Sequence, residues 1–356
     1  PAEPLLAVPT GAAYQLTYFD KGAFDAAGLA YPELDWGLDE FLSVAQALTV
    51  REGEEMTRWG YVPSQLRYSP LLATQLSGPV QTANELRLGD PDVESAVQWV
   101  SDLFTVHEVA PWLDDYRPVD QRIGSGPSPL SLINSGMAAM WHATHLLYDE
   151  NDEHVGVTTV PRSSNGFAAE PIIYGFGISR GTTSPEEAWQ LLHFLSRQSP
   201  QDTVSSADLV PARRSVAAAT SYWQQLPDNL TAVLQYTAEN SAIPRITYQA
   251  NDLLQEAIVA HIDDGIPVAV ALDQNRVEDS PLPEEATNEI VVSPDVGSND
   301  EEEQAQITFA TEYSLLETHR RLAAQFQAES AIPVRVVELG QAISSDCFLG
   351  QPGDWQ

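Results

Sequence analysis

The chain has 356 residues, 51 of them Asp or Glu against 17 Lys or Arg, for a formal net charge of −34. That charge excludes nucleic acid and anionic membrane surfaces as partners, since both need clustered cations. Cys347 is the only cysteine, so an intrachain disulfide and a thiolate-rich zinc site are excluded as well, and no apolar run is long enough to span a bilayer.

In chain order, residues 5 to 20 (LLAVPTGAAYQLTYFD) read as two short strands joined through Pro9 and Gly11. Residues 38 to 50 carry Leu38, Phe41, Leu42, Ala45 and Leu48 at helical spacing. A second helix is predicted over 89 to 104, with Asp90 as N-cap, Pro91 in its first position and Val93, Val97, Val100 and Phe104 on its buried face. MAAMWH, VGVTTVP and IIYGFGIS read as strands. A capping box of Ser184 and Glu187, with Pro185 between them, marks the next helix start. Helices follow over 216 to 225, 229 to 239 and 250 to 264, and this alternation points to an α/β architecture. Residues 277 to 304 are rich in Pro, Ser and acidic groups and read as a solvated acidic linker. Beyond it, QITFATEYSLLETHRRLAAQFQAESAIPVRVV reads as strand, turn, amphipathic helix and strand.

Few motifs point to bond-making chemistry. GISRG at 177 to 181 matches the G-x-S-x-G nucleophile elbow. An elbow needs a helix immediately after the serine, and here the helix signal comes several residues late, so Ser179 reads as a strand end. WHATH contains His142 and His145 without the Glu that zinc proteases place between two such histidines. Neither a catalytic residue nor a metal or cofactor is expected. Aromatic residues beside turn signals, Tyr14, Tyr68, Trp141, Tyr174 and Tyr248, suit a ligand with both apolar C–H faces and hydroxyls.

An ordered series of segments resembles the extracellular solute-binding proteins of sugar ABC importers, the maltose-binding-like group. Tyr18, Lys21, Phe24, Ala27, Gly28, Leu29, Pro32, Trp36, Glu40 and Phe41 match its opening pattern; SGMAAMW, VTTVPR, the segment from YGFGIS to FLSRQSPQ, LVPARRSVA and GIPVAVALDQ follow in family order. Phe19-Asp20 and Gly37 depart from that pattern. The resemblance implies a two-lobed periplasmic-binding-protein fold of the type II, Venus-flytrap kind, with mostly parallel sheets and hinge crossovers. It implies residues 1 to 13, 170 to 239 and 305 to 356 in the first lobe, and 14 to 169 with 240 to 276 in the second. It implies a monomer outside the cytoplasm, periplasmic or anchored at the cell surface, that captures a sugar or oligosaccharide between its lobes for ABC permease subunits. Trp141 and Tyr174 are then the leading ligand contacts, with Tyr68, Tyr248, Tyr14, Arg67 and His142 behind them. The alternatives are a serine hydrolase acting through Ser179 and a sensing module that signals instead of transporting. Because ITFATEYSLLETHRRLAAQFQAESAIPVRVVEL resembles the family's own beginning, it is expected to add strands to the lobe containing 170 to 235, whether the chain is a fragment of a tandem protein or a circular permutation.

Overall fold

The computed structural model describes residues 7–67, 69–82, 85–124, 126–147, 149, 152–169, 171–179, 182–204, 208–242, 246, 248–278, 307–338 and 347–350. Tyr68 and the acidic linker from residue 279 onward lie outside the described residues. The strands that position the site are β1 (Ala7–Ala13), β2 (Gln15–Asp20), β3 (Met140–Thr144), β4 (Val155–Thr158), β5 (Ile172–Ile178), β6 (Val210–Pro211), β7 (Ile307–Thr311), β8 (Val334–Glu338) and β9 (Cys347–Gly350). The helices are α1 (Lys21–Ala27), α2 (Leu38–Leu48), α3 (Pro91–Thr105), α4 (Pro129–Asn134), α5 (Pro185–Leu195), α6 (Asp228–Asn240), α7 (Tyr248–Asp264) and α8 (Val268–Glu278), with α9 (Leu316–Ser330) between β7 and β8. The chain divides into two compact units. Unit 1 comprises Pro1–Ala13, Ile172–Gln225 and Leu282–Gln356, and unit 2 comprises Tyr14–Pro171 and Leu226–Pro281.

Unit 1 is built on a six-stranded sheet in the order β6-β1-β5-β9-β7-β8. The sheet is mixed, and the expectation of mostly parallel sheets is corrected here. Only β7 with β8 and β7 with β9 run parallel. α9 returns the chain to the starting end between β7 and β8, which is what a parallel pair requires. The remaining neighbours are antiparallel. β1 runs straight through Pro9 and Gly11 as one strand with a register shift there, so the break between the first two strands falls at Tyr14. Opposite that shift, a side chain on Gly175 would press on the Val8 carbonyl at 2.8 Å, so only glycine lets the backbones approach this closely. Val8, Phe176, Leu192, Ile307, Phe309 and Phe326 form the core, closed by α5 and α9. His319 of α9 is buried between the Thr311 hydroxyl and the Thr203 carbonyl, 2.7 Å from each.

Unit 2 carries a three-stranded antiparallel sheet, β3-β2-β4, with β2 in the middle. The stripe predicted on α2 buries Phe41, Ala45 and Leu48. The Phe41 ring meets Trp36 and Tyr61 edge-on at 5.7 and 5.1 Å. Gly60 lies directly against the Ala45 carbonyl, where a Cβ has no room. Val93, Val97, Val100 and Phe104 of α3 are buried as its spacing predicts. The helix starts are where the sequence puts them, but neither Ser184 nor Asp90 caps through its side chain. The Asp90 carboxylate is taken instead by the Arg87 guanidinium at 2.7 Å. Residues 226 to 239, expected in the first lobe, belong to unit 2. Leu230, Val233 and Leu234 of α6 are buried, Tyr236 meets the Phe167 ring at 6.1 Å, and the Ala242 amide donates to the Phe167 carbonyl.

Candidate functional site

Strand alternation divides the residues of β2 and β3 between two faces. The register pairs Tyr18 with Trp141, Thr17 with His142, and Leu16 with Ala143. Paired side chains across a sheet share a face, so Trp141 stands beside Tyr18 and His142 beside Thr17. The Tyr18 and Trp141 rings lie nearly parallel, 11° apart, with centroids at 5.9 Å. Tyr18 is buried and donates its hydroxyl to the Thr144 carbonyl, which fixes the ring. Trp141 is only partly buried.

This aromatic face forms one wall of a pocket of about 760 Å³, within the size range of small-molecule sites. α4 contributes Ile133 and Asn134 to the lining, after Ser128 caps its first turn by accepting from the Ser131 amide. The turn around Asp114–Tyr116 contributes Asp115. That turn is held by its neighbour Asp114, which pairs with Arg117 at 3.3 Å and accepts from the Ile123 and Gly124 amides. Asp149 and Asp152 come from the segment before β4. The lining thus combines an indole face with amide, hydroxyl and carboxylate groups, which can stack on an apolar ring face while hydrogen-bonding its substituents.

The structure distributes the sequence candidates unevenly. Trp141 lines the pocket. His142, its neighbour, does not: it points into the core, 2 % exposed, with Nδ1 2.8 Å from the Tyr61 hydroxyl and Nε2 3.0 Å from the Thr17 hydroxyl. Burial lowers its pKa to about 3, so it stays neutral and serves the core. Its assignment as a ligand contact is corrected. Tyr14, half-buried, packs on Val160, Phe167 and Ala169, and burial raises its pKa. Arg67 pairs with Asp252 at 2.6 Å. Tyr174 lies on β5 in unit 1, opposite Gly11; burial and then the charge of Glu312 raise its pKa. Tyr248 opens α7, and its side chain, like all of Tyr68, is outside the described residues. Tyr18 and Asp115, which the sequence analysis did not single out, also line the pocket. The alternation in LTYFD could have placed Tyr18 on the Trp141 face, but aromatics at both 18 and 19 blur which face is the core. Ser179 follows the end of β5, and among the described residues the next helix, α5, opens only at Pro185. Among the described residues, no group of three or more His, Cys, Asp or Glu side chains could hold a metal ion.

A chain that passes repeatedly between two α/β units, one of which carries an aromatic-walled pocket, has the marks of a two-lobed binding protein. The model of the bacterial extracellular solute-binding protein family matches residues 2–202, more than half of the chain, and the chain belongs to that family. Among solved structures it is similar to an ABC substrate-binding protein of Listeria monocytogenes in complex with cycloalternan, at 17% identity and TM-score 0.58, over 78% of this chain and 71% of that one. It is also similar to maltose-bound MalE3 of T. maritima, at 19% identity and TM-score 0.54, over 78% and 73%. A third is an ABC transporter solute-binding protein of Thermotoga lettingae bound with α-D-tagatose, at 15% identity and TM-score 0.54, over 77% and 71%. At these identities the likeness is one of fold, and all three are two-lobed α/β proteins. No curated protein sequence matches the chain.

Proposed function

We propose that this chain captures a carbohydrate outside the cytoplasm and delivers it to the permease subunits of an ABC importer, with no bond made or broken. The observation that carries this reading is the Trp141 face, held parallel to Tyr18 in a pocket whose other walls offer hydrogen-bonding groups. A sugar ring has an apolar C–H face that fits an indole. Its hydroxyls need partners, because each one buried without a hydrogen bond costs about 1–3 kcal/mol. Asn134, Ser128 and the pocket aspartates supply such partners. The sugars named in the three similar structures support a carbohydrate in this one. Tyr174, Tyr68 and Tyr248 are kept on their sequence positions alone. Tyr14 and Arg67 are assigned to packing and to the Asp252 ion pair.

The test is thermal unfolding of the full chain against a panel of neutral mono- and oligosaccharides. A sugar present at a hundred times its Kd stabilises by about 2.7 kcal/mol. Trp141→Ala should weaken binding of that sugar at least tenfold while leaving the fold intact. A panel in which no sugar raises the midpoint, or a Trp141→Ala variant with unchanged affinity, would refute the reading.

A further inference from the structure

Trp141 has a neighbour on each side of β3. Tyr18 of β2 pairs with it on one side, and Val62 forms a parallel bridge to it on the other. The Tyr18 ring lies parallel to the indole at 5.9 Å, an offset stack that occupies one indole face. Tyr18 is itself only 2 % exposed, so it backs the indole and offers a solute little surface. The other indole face is turned to the segment that carries Val62, where Ser64 lines the pocket. That segment is held at three successive residues. The Tyr61 hydroxyl lies 2.8 Å from His142 Nδ1, the Val62 amide donates to the Met140 carbonyl at 2.9 Å, and the Pro63 carbonyl accepts from the buried Tyr116 hydroxyl at 2.7 Å. Ser64 comes next, exposed on a backbone that these bonds hold in place. Ala143, two residues beyond Trp141 on the same face of β3, also lines the pocket; its side chain ends at Cβ and leaves room beside the indole. An aromatic face fixes the plane of a ring that stacks on it but not the rotation within that plane. A hydroxyl on a fixed backbone beside that face supplies the missing constraint.

We propose that Trp141 offers its solute one face only, the face turned away from Tyr18, and that Ser64 is the specificity-determining contact there, hydrogen-bonding a hydroxyl of the stacked ring. The proposal rests on the reading of Trp141 as the surface that binds a carbohydrate.

Two measurements on the full chain test it. The first needs no sugar. Acrylamide, a neutral quencher, acts by contact with an exposed indole, and comparing each chain with its Trp141→Phe counterpart isolates the Trp141 component. Ser64→Leu puts a bulky apolar side chain at the open face and should lower the quenching of that component at least about twofold. Its thermal midpoint should stay at the parent value, because an exposed position is being changed. Quenching of Trp141 as strong in Ser64→Leu as in the parent would overturn the proposal. The second measurement titrates glucose, mannose and galactose, epimers at C2 and C4, into the parent, Ser64→Ala and Ser64→Leu. For the sugar that binds the parent tightest, Ser64→Ala should weaken binding about two- to tenfold, the loss of one neutral hydrogen bond, and should narrow the gap to its epimers. Ser64→Leu should weaken it at least tenfold, as Trp141→Ala does. Parent affinity in either Ser64 variant would likewise overturn the proposal. If Ser64→Leu shields Trp141 from acrylamide while none of the three sugars binds the parent, the single open face stands and the carbohydrate reading is the one that fails.

Discussion

His142→Leu separates a core histidine from a ligand-binding one. The substitution keeps an apolar side chain of similar bulk against Phe41 and Tyr61, whose rings lie 6.2 and 5.1 Å from the imidazole. What it removes is hydrogen bonding. The Tyr61 hydroxyl, in a residue only 2 % exposed, loses the Nδ1 partner at 2.8 Å. The Thr17 hydroxyl loses Nε2 but still donates to the Thr159 carbonyl at 2.9 Å. One stranded buried hydroxyl costs about 1–3 kcal/mol, which for a unit of this size lowers the thermal midpoint by about 3 to 10 °C. His142→Ala adds a cavity and should cost about 3–5 kcal/mol. The decisive variant is His142→Leu with Tyr61→Phe. Removing both partners of a buried hydrogen bond can be nearly neutral, so the double variant should recover most of the loss seen in His142→Leu. Thermal unfolding followed by circular dichroism reads all of these. Wild-type stability in His142→Leu, or no recovery in the double variant, would refute the structural role and return His142 to the candidate ligand contacts.

The same histidine sets an acid response. Its folded pKa is near 3 and His319 is lowered by burial to about 4, both below the ordinary value near 6.5. The unfolded chain therefore binds the extra protons, and the stability these groups contribute is present above pH 6.5 and lost as pH falls from there toward 4 and 3; His142→Leu should flatten that acid limb in urea titrations at stepped pH. Gly60→Ala should fail to fold stably, or lose about 3 kcal/mol or more, because its Cβ would overlap the Ala45 carbonyl of α2; a soluble variant with the parent midpoint would contradict the packing described. Cys347 is fully buried in the unit 1 core, so a thiol reagent should label it only on opening of β9, slowly in buffer and fully in denaturant; fast labelling of the native chain would argue against β9 lying between β5 and β7.

Much of the fold was legible because its elements carry strong local signals. The stripe Phe41, Ala45, Leu48 and the prolines at 91 and 185 place α2, α3 and α5 within a residue or two. Strand direction was not legible: parallel and antiparallel neighbours read alike in a single strand, and only the β7–α9–β8 crossover announces its geometry. Side-chain caps were overcalled at Ser184 and Asp90 because a polar residue in the right place can find another partner, as Asp90 does with Arg87. The sequence marked Trp141 and His142 alike, and the structure places Trp141 at the pocket and His142 in the core. Adjacent strand residues face opposite ways, and which of the two faces the core depends on Tyr61 and Thr17, residues far away in sequence. The pocket carboxylates were invisible for a different reason. In a chain with 51 acidic residues, nothing local marks Asp115 or Asp152 as lining anything.

The sheet of unit 1 also sets an order for synthesis. β1 leaves the ribosome before β5, and β9, which covers the free edge of β5, comes only at residues 347–350. At 5–20 residues per second that edge waits on the order of ten seconds or more for its neighbour. Unit 2, whose last residue is Pro281, has by then been translated in full. An uncovered strand edge is a template for pairing with other chains. The species most prone to aggregate is therefore the nascent chain that already holds a finished unit 2 and still lacks β7, β8 and β9.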